Sequence, residues 1–594
     1  MSDLYHRQRA AMLEANQGFD VLLPADPPAQ VAVRPIDLPL ARNLLGTAAN
    51  VHASLLVVLG WGDGSLLRWI HADPMLRQRN VVVVLLPGEE AAYASSFTVE
   101  PPLLPILKDL DVKLEIVRDE ASALVMAYHH FRHHHDIPRL AGCDIISDHP
   151  LSIAGEAARR DLSPMILKVL SDRPQLYGND IMDSFTGLMN AAGNAQQILP
   201  SPSIDDCWTM FGQTPVISIA GGPSLRRHIP RLRELQDRCI LVACDSVLPG
   251  LLREGIQPHF ATPLERLQAT VDLVQPVRGT RTIFAGSCVV PPAALEPFEG
   301  RSIAVFAGDQ LYPWLSPEPG RRVNTGSSTG VFSFYVGSSL SSGPVWLVGH
   351  DLARDRGASH WEGANYSSGL WAEQKQKINA SARVNTGYED RLIPGNDGGP
   401  VPSIAWWDRF RSELAQRVAE LKAEGRTTYN VNAHDRVGAV IDGSEAAPLP
   451  DPSSLPILPP IQLPERKPER YEQWRIRAVR LPDDIASFRK ALGTLREEVA
   501  MARLGTLENL NLETLAQRLT TSATVSEGNR MAFDYFLRSA LHNTTAAMHL
   551  ARRTPSTARF KWVVLDAMDN LSHALDMALV KLTPRIEEIA RDHR

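Results

Sequence analysis

The sequence predicts an α/β protein of several domains, with helices packed around parallel sheets. Three observations predict it: short β-branched runs that break into glycine turns and helices in two separate stretches, a proline-rich change of composition past Leu449, and purely helical periodicity after that. The clearest stretch is Pro215–Ser224 (PVISIAGGPS), an apolar strand-like run followed by Gly221-Gly222-Pro223-Ser224 and then Leu225, Ile229, Leu232 and Leu235 at helical spacing. Ser224 is of a type favoured as a helix cap. Glycines let a ligand approach the backbone, and the N–H groups at a helix start suit an anion. Gly221, Gly222, Pro223 and Ser224 are therefore the expected phosphate-binding residues. On local pattern alone, a plain strand-to-helix turn reads the same way.

The next elements repeat the rhythm. Cys239–Asp245 (CILVACD) reads as a second buried strand with an acid at its carboxyl end, Ser246–Glu254 as a short helix capped by Gly255, and Pro258–Thr262 as a third strand. Strands alternating with short helices make a parallel sheet, in which ligands sit at the carboxyl ends of the strands. Gly222, Ser224, Asp245 and Glu265 would converge there. A second glycine and hydroxyl turn, Asn324–Gly330 (NTGSSTG), precedes another apolar stretch. It reads either as a capped helix start or as a pocket wall carrying Thr325 and Ser327.

Further motifs follow: Gly255-Ile256, Pro258 and Glu265-Arg266; Val345–Leu352 (VWLVGHDL) with Asp351; Ser359-His360 and Gly363 to Tyr366; and Asn430–Gly443 (NVNAHDRVGAVIDG). In this order, with Gly222-Pro223-Ser224-Leu225 and Asp245, they resemble the central domain of the motility-associated factor (Maf) proteins. These are bacterial glycosyltransferases that decorate flagellin with nonulosonic acids and look like distant relatives of sialyltransferases using CMP-activated sugars. The resemblance covers roughly Tyr177 to Leu449. It departs at His259, where the family has Asp, and at His434-Asp435-Arg436-Val437, where it has Thr-Glu-Gly-Gly.

The resemblance implies a Rossmann-like, sialyltransferase-like central domain that moves a nonulosonic acid of the pseudaminic or legionaminic type from a CMP donor to Ser or Thr of flagellin, with no cofactor and no metal. Gly221, Gly222 and Ser224 would hold the CMP phosphate, and Asp245 or Glu265 would orient ribose hydroxyls or the sugar. His360 is the expected general base, Tyr366 the donor to the departing phosphate, and Glu265 and Asp351 complete the catalytic group. Flagellin and its export chaperone are the expected partners. Two rivals stand beside this reading: pyrophosphate transfer from ATP, as in the archaeal 6-hydroxymethylpterin diphosphokinases that share the domain family, and a non-catalytic flagellin-binding assembly factor.

Composition bounds the setting. A chain of 594 residues with a net charge of −6 has no basic surplus for nucleic acid. Its five cysteines are scattered and odd in number, which suits reduced core residues better than a disulfide frame or a zinc site. No apolar run approaches the ~20 residues of a membrane span. The amino terminus is polar and helical, so a cytoplasmic protein is expected.

The flanking regions complete the plan. Over 1–175, Ser54–Leu59, the glycine turn Gly60-Trp61-Gly62-Asp63-Gly64, a helix through Leu66, Leu67 and Ile70, and Asn80–Leu86 read as a β-α-β unit. The acid that would hold a ribose is missing, because Leu85-Leu86-Pro87 stands at the strand end and Glu89 comes late; a degenerate, structural Rossmann-like domain is expected. Tyr128–His135 packs five histidines into a segment that reads as a solvated helix end, and Asp109-Leu110-Asp111 reads as a loop. The domain 176–449 is followed by a proline-rich linker over 450–470 and an all-α domain over 471–594. Ile485, Phe488, Leu492, Leu495 and Val499 begin the helical stripes of that domain.

Overall fold

The computed structural model describes residues 2–15, 23–28, 55–73, 80–119, 143–147, 153–172, 181–306, 311–316, 320–364, 390–502, 525–533 and 557–591, with a few isolated residues besides. Contacts divide the chain into two compact units, one of Met1–Ser184 with Pro482–Ser526 and Phe533–Val580, the other of Phe185–Leu481 with Glu527–Ala532 and Lys581–Arg594.

The first unit carries four parallel strands, β1 (Leu55–Leu59), β2 (Asn80–Leu85), β3 (Lys113–Ile116) and β4 (Cys143–Ser147), in the order β3-β2-β1-β4. Alternation along β1 and β2 divides their side chains between two cores. Leu56, Val58, Val81 and Val83 face Trp61, Tyr93 and Phe97; Val57, Leu59, Val82 and Val84 face Met126 and Ile166. The predicted stripe Ile485, Phe488, Leu492, Leu495, Val499 is buried on the helix Leu481–Met501. That helix is tied to the helix Thr557–Arg591 through Arg489 to Asp576 and Arg496 to Asp569.

The second unit holds seven parallel strands, β5 (Val216–Ile219), β6 (Ile240–Ala243), β7 (Phe260–Ala261), β8 (Ile283–Phe284), β9 (Val345–Val348), β12 (Thr428–Asn430) and β13 (Glu445–Ala446), in the order β13-β12-β9-β5-β6-β7-β8. A separate hairpin pairs β10 (Asp390–Pro394) with β11 (Pro400–Ile404). From β5 the chain winds outward through β6, β7 and β8, then returns to place β9 on the other side of β5. The winding direction reverses between β5 and β9, the switch point outside which open sheets of this kind form a ligand crevice. The predicted parallel alternation is thus observed. The proline-rich run after Leu449 is extended and lies along this unit: Leu458 N–H donates to Asp237 O (2.8 Å), and Leu458, Ile461 and Leu463 pack on its core. Lys467 (2.5 Å) and Arg470 (3.0 Å) then pin the run to Asp206. No described helix is long and apolar enough to cross a membrane.

Candidate functional site

The turn after β5 is built differently from the open cradle read in the sequence. Gly222 N–H donates to Gly349 O (2.8 Å), and Ser224 N–H donates to Asp351 Oδ1 (3.1 Å). Ser224 Oγ does not cap its helix; it donates to Asp351 Oδ2 (2.7 Å). The same hydroxyl lies 2.8 Å from Asn432 Oδ1. Pro223 has no N–H. Most of the N–H groups expected to face a ligand are therefore spent on a clasp between the β5 and β9 loops. Asp351 is 4% exposed, and burial raises its pKa to about 6 against the opposing bonds from Ser224.

Gly221 faces the other way. A Cβ added there would lie 3.5 Å from His360 Cδ2, 3.6 Å from Ser246 Oγ and 3.4 Å from Val247, whereas one on Gly222 would sit 2.0 Å from Asp351 Oδ2. Its carbonyl accepts from Trp361 N–H (2.9 Å), which anchors the segment bearing His360. His360 is half-buried, with Nδ1 3.0 Å from Ser359 Oγ and its ring edge-on to Trp407. The structure thus brings His360, Gly221 and Ser246 together at the carboxyl ends of β5 and β6.

Asp245 leaves the end of β6 and is 1% exposed; burial and the negative charge of Glu265 raise its pKa to about 7, although N–H groups including Ser246 (2.8 Å) oppose the rise. Glu265 is exposed beyond β7. On the second predicted turn, Ser328 Oγ accepts from Val331 N–H (3.2 Å) and caps the helix Thr329–Leu340. A Cβ added at Gly330 would sit 3.2 Å from that of Ala220, so this helix begins against the end of β5. Ser327 directs both its N–H (2.8 Å) and its hydroxyl (2.6 Å) to Glu413, and Thr325 lies two residues before it, partly exposed. Tyr366 and the histidines of Tyr128–His135 lie outside the described residues.

With that geometry in place, residues 189–357 match the 6-hydroxymethylpterin diphosphokinase MptE-like family. A search of curated proteins finds no match. A structure of a Maf glycosyltransferase from Magnetospirillum magneticum AMB-1 aligns over 98% of this chain and 89% of that one, with a TM-score of 0.59 at 18% identity. The fold is Maf-like. The likeness extends well past the central stretch over which the motifs were read.

Within this Maf-like fold, several residues carry the site without any local signal in the sequence. Trp361 is 4% exposed, and a Cβ on Gly250 would meet its ring at 2.5 Å, so Gly250 seats the segment that presents His360. His350, fully buried next to Asp351, lies 3.1 Å from Ser218 Oγ, and burial lowers its pKa to about 4. His259, the first departure from the motif pattern, accepts from Leu241 N–H (3.1 Å) and ties β6 to β7; burial lowers its pKa to about 4, which suits this acceptor role. At the second departure, Asp435 lies 3.2 Å from buried His228, joining the segment after β12 to the helix Leu225–Leu235. In the first unit the Gly60–Gly64 turn is filled by the chain itself. Glu89, 3% exposed, accepts from Trp61 N–H (3.1 Å) and Leu86 N–H (3.0 Å), so a carboxylate already occupies the turn at the β1 switch point.

Proposed function

We propose that this chain is a glycosyltransferase that moves a nonulosonic acid, of the pseudaminic or legionaminic type, from a CMP-activated donor to serine or threonine hydroxyls of flagellin. The observation that carries the reading is the Maf-like fold over nearly the whole chain, with His360 set beside Gly221 at the switch-point crevice. The donor phosphate would lie against Gly221, between the β5 turn and the start of the helix Thr329–Leu340. Asp245 and Glu265 would hold ribose or sugar hydroxyls, which carboxylates accept in pairs. His360 would take the proton from the acceptor hydroxyl as its oxygen bonds to the anomeric carbon, while the bond from that carbon to CMP breaks and CMP leaves with the electron pair. Asp351 acts in this scheme through the clasp that shapes the turn, and Tyr366 is the proposed proton donor to the leaving phosphate. Transfer needs no metal ion in this scheme. Flagellin and its export chaperone are the proposed partners, met before export in the cytoplasm.

Pyrophosphate transfer from ATP is the second reading, favoured by the family match over residues 189–357. Calorimetric titration with CMP, and separately with ATP and Mg²⁺, tests both. Tight CMP binding without metal supports the glycosyltransferase, preference for ATP with Mg²⁺ supports the diphosphokinase, and binding of neither refutes both in favour of an assembly factor. His360→Ala should then abolish transfer to flagellin while CMP binding persists.

A further inference from the structure

The turn Asn324–Ser328 is held only in part by its own residues. Gly326 sits in the left-handed region at φ +60°, and a Cβ there would lie 2.3 Å from Val331 Cγ1 and 3.2 Å from Glu413 Oε2. Within the turn, Gly326 N–H is met by Asn324 Oδ1 (2.9 Å), but Ser327 turns outward to a distant partner. That partner is Glu413 on the helix Ala405–Ala423, 86 positions along the chain, which accepts both the amide (2.8 Å) and the hydroxyl (2.6 Å) of Ser327. Its side chain is 16% exposed and pairs with Arg409 Nε at 3.2 Å, whose guanidinium lies over the Trp406 ring at 5.6 Å. A half-buried carboxylate that accepts two hydrogen bonds from one residue and pairs with a stacked arginine is a fixed grip.

We propose that Glu413 is a positioning residue of the crevice. By gripping Ser327 it sets the turn, and through the Ser328 cap it sets where the helix Thr329–Leu340 begins, so that Gly330 closes against Ala220 and the imidazole of His350 beside the Gly221 turn. Ser327 then shapes the crevice and does not contact the donor, because its amide and hydroxyl are both spent on Glu413. Glu413 lies beyond residues 189–357 and outside every motif read in the sequence, so the wall of the crevice is completed by a helix that the family match leaves out. The consequence for CMP rests on the glycosyltransferase reading; the grip itself does not.

The test compares Glu413→Gln and Ser327→Ala with the full-length chain by hydrogen exchange and by CMP titration. Glu413→Gln keeps the shape but loses the charge, and should speed amide exchange over residues 324–331 about tenfold while leaving β5 and β6 unchanged, and raise the CMP dissociation constant about tenfold, the size outer partners of a site command elsewhere. Ser327→Ala keeps the amide bond and should weaken CMP far less. Unchanged exchange over 324–331 in Glu413→Gln, or exchange accelerated across the whole unit, would overturn the proposal. So would Ser327→Ala weakening CMP as much as Glu413→Gln without faster exchange, since that marks Ser327 as a ligand contact. If the unsubstituted chain does not bind CMP, the donor reading fails, and the exchange comparison still decides the grip.

Discussion

Adjacent glycines should respond oppositely to the same added methyl group. Gly221 and Gly222 both have ordinary backbone angles, so alanine strains neither, and the difference lies in what a Cβ meets. On Gly222 it would sit 2.0 Å from Asp351 Oδ2 and 2.5 Å from Gly349 O, distances no Cβ tolerates. Asp351 would have to move and lose the amide and hydroxyl of Ser224. Leaving a buried hydrogen-bonding group without its partner costs roughly 1–3 kcal/mol, more for a charged one, and several groups lose partners here. At roughly 2–4 °C per kcal/mol for a unit of this size, Gly222→Ala should lower its Tm by on the order of 10 °C. On Gly221 the methyl meets Val247, His360 and Ser246 at 3.4–3.6 Å, which is ordinary contact. Stability should change by less than ~1 kcal/mol, because the small entropic gain of alanine over glycine offsets any crowding. The methyl would nonetheless project from the residue against which the donor phosphate is proposed to lie, and should raise the CMP dissociation constant at least ~10-fold, about 1.4 kcal/mol. Differential scanning fluorimetry with CMP calorimetry on both variants separates the effects. A Gly222→Ala variant as stable as the unsubstituted chain would refute the clasp. A Gly221→Ala variant with unchanged CMP affinity would refute the placement of the donor.

Other outcomes follow from the same geometry. Asp245 has a folded pKa raised to about 7, so the folded state holds its proton more tightly than the unfolded chain; its contribution is full below about pH 4 and is lost as pH rises towards 7. Asp245→Asn should flatten that part of a Tm against pH profile and stabilise the protein at pH 8; an unchanged profile would refute the assignment. Glu89→Ala should destabilise the first unit by on the order of 3 kcal/mol through two stranded N–H groups, and formate at high millimolar concentration, but not chloride, should restore several degrees of Tm. No recovery with formate would mean the turn does not act as a carboxylate site. Truncation after Leu449 removes Leu458, Ile461, Leu463 and the Lys467 and Arg470 contacts to Asp206, so the remaining sheet unit should lose several kcal/mol in urea unfolding; a truncated chain of full stability would show the strap to be a loose tether.

Strand sequences and their order were legible because buried parallel strands are short apolar runs and the turns that follow them need glycine. Val216–Ile219, Ile240–Ala243 and Val345–Val348 lie where the apolar runs put them, and Gly255, at φ +71°, ends its helix as expected. The destination of each hydrogen bond was not legible. Ser224 is a good cap by type, yet the hydroxyl goes to Asp351, 127 positions away, because the two loops meet only once β9 has inserted beside β5. The proline-rich run was legible as extended chain but not as a docked one. Proline rings favour extension locally, whereas docking depends on Leu458, Ile461 and Leu463 finding a surface made by distant strands.

The three glycine turns resolve into one physical pattern with two outcomes. Each is held in part by a carboxylate remote in sequence: Asp351 for Ser224, Glu413 for Ser327, and Glu89 for Trp61. Glycine removes the side chain that would hold a turn in shape, so a turn that must be rigid before any ligand arrives needs an internal acceptor for its N–H groups. Where that acceptor stands decides what the turn can do. Glu89 takes the N–H groups of Trp61 and Leu86 at the switch point of its own sheet, where a bound anion would lie. Asp351 takes the N–H and hydroxyl of Ser224, and Gly349 O the N–H of Gly222, from the side opposite Gly221, which leaves Gly221 facing His360. A glycine motif read from sequence is the same in both cases; what differs is which N–H groups the carboxylate takes and on which side of the turn it stands.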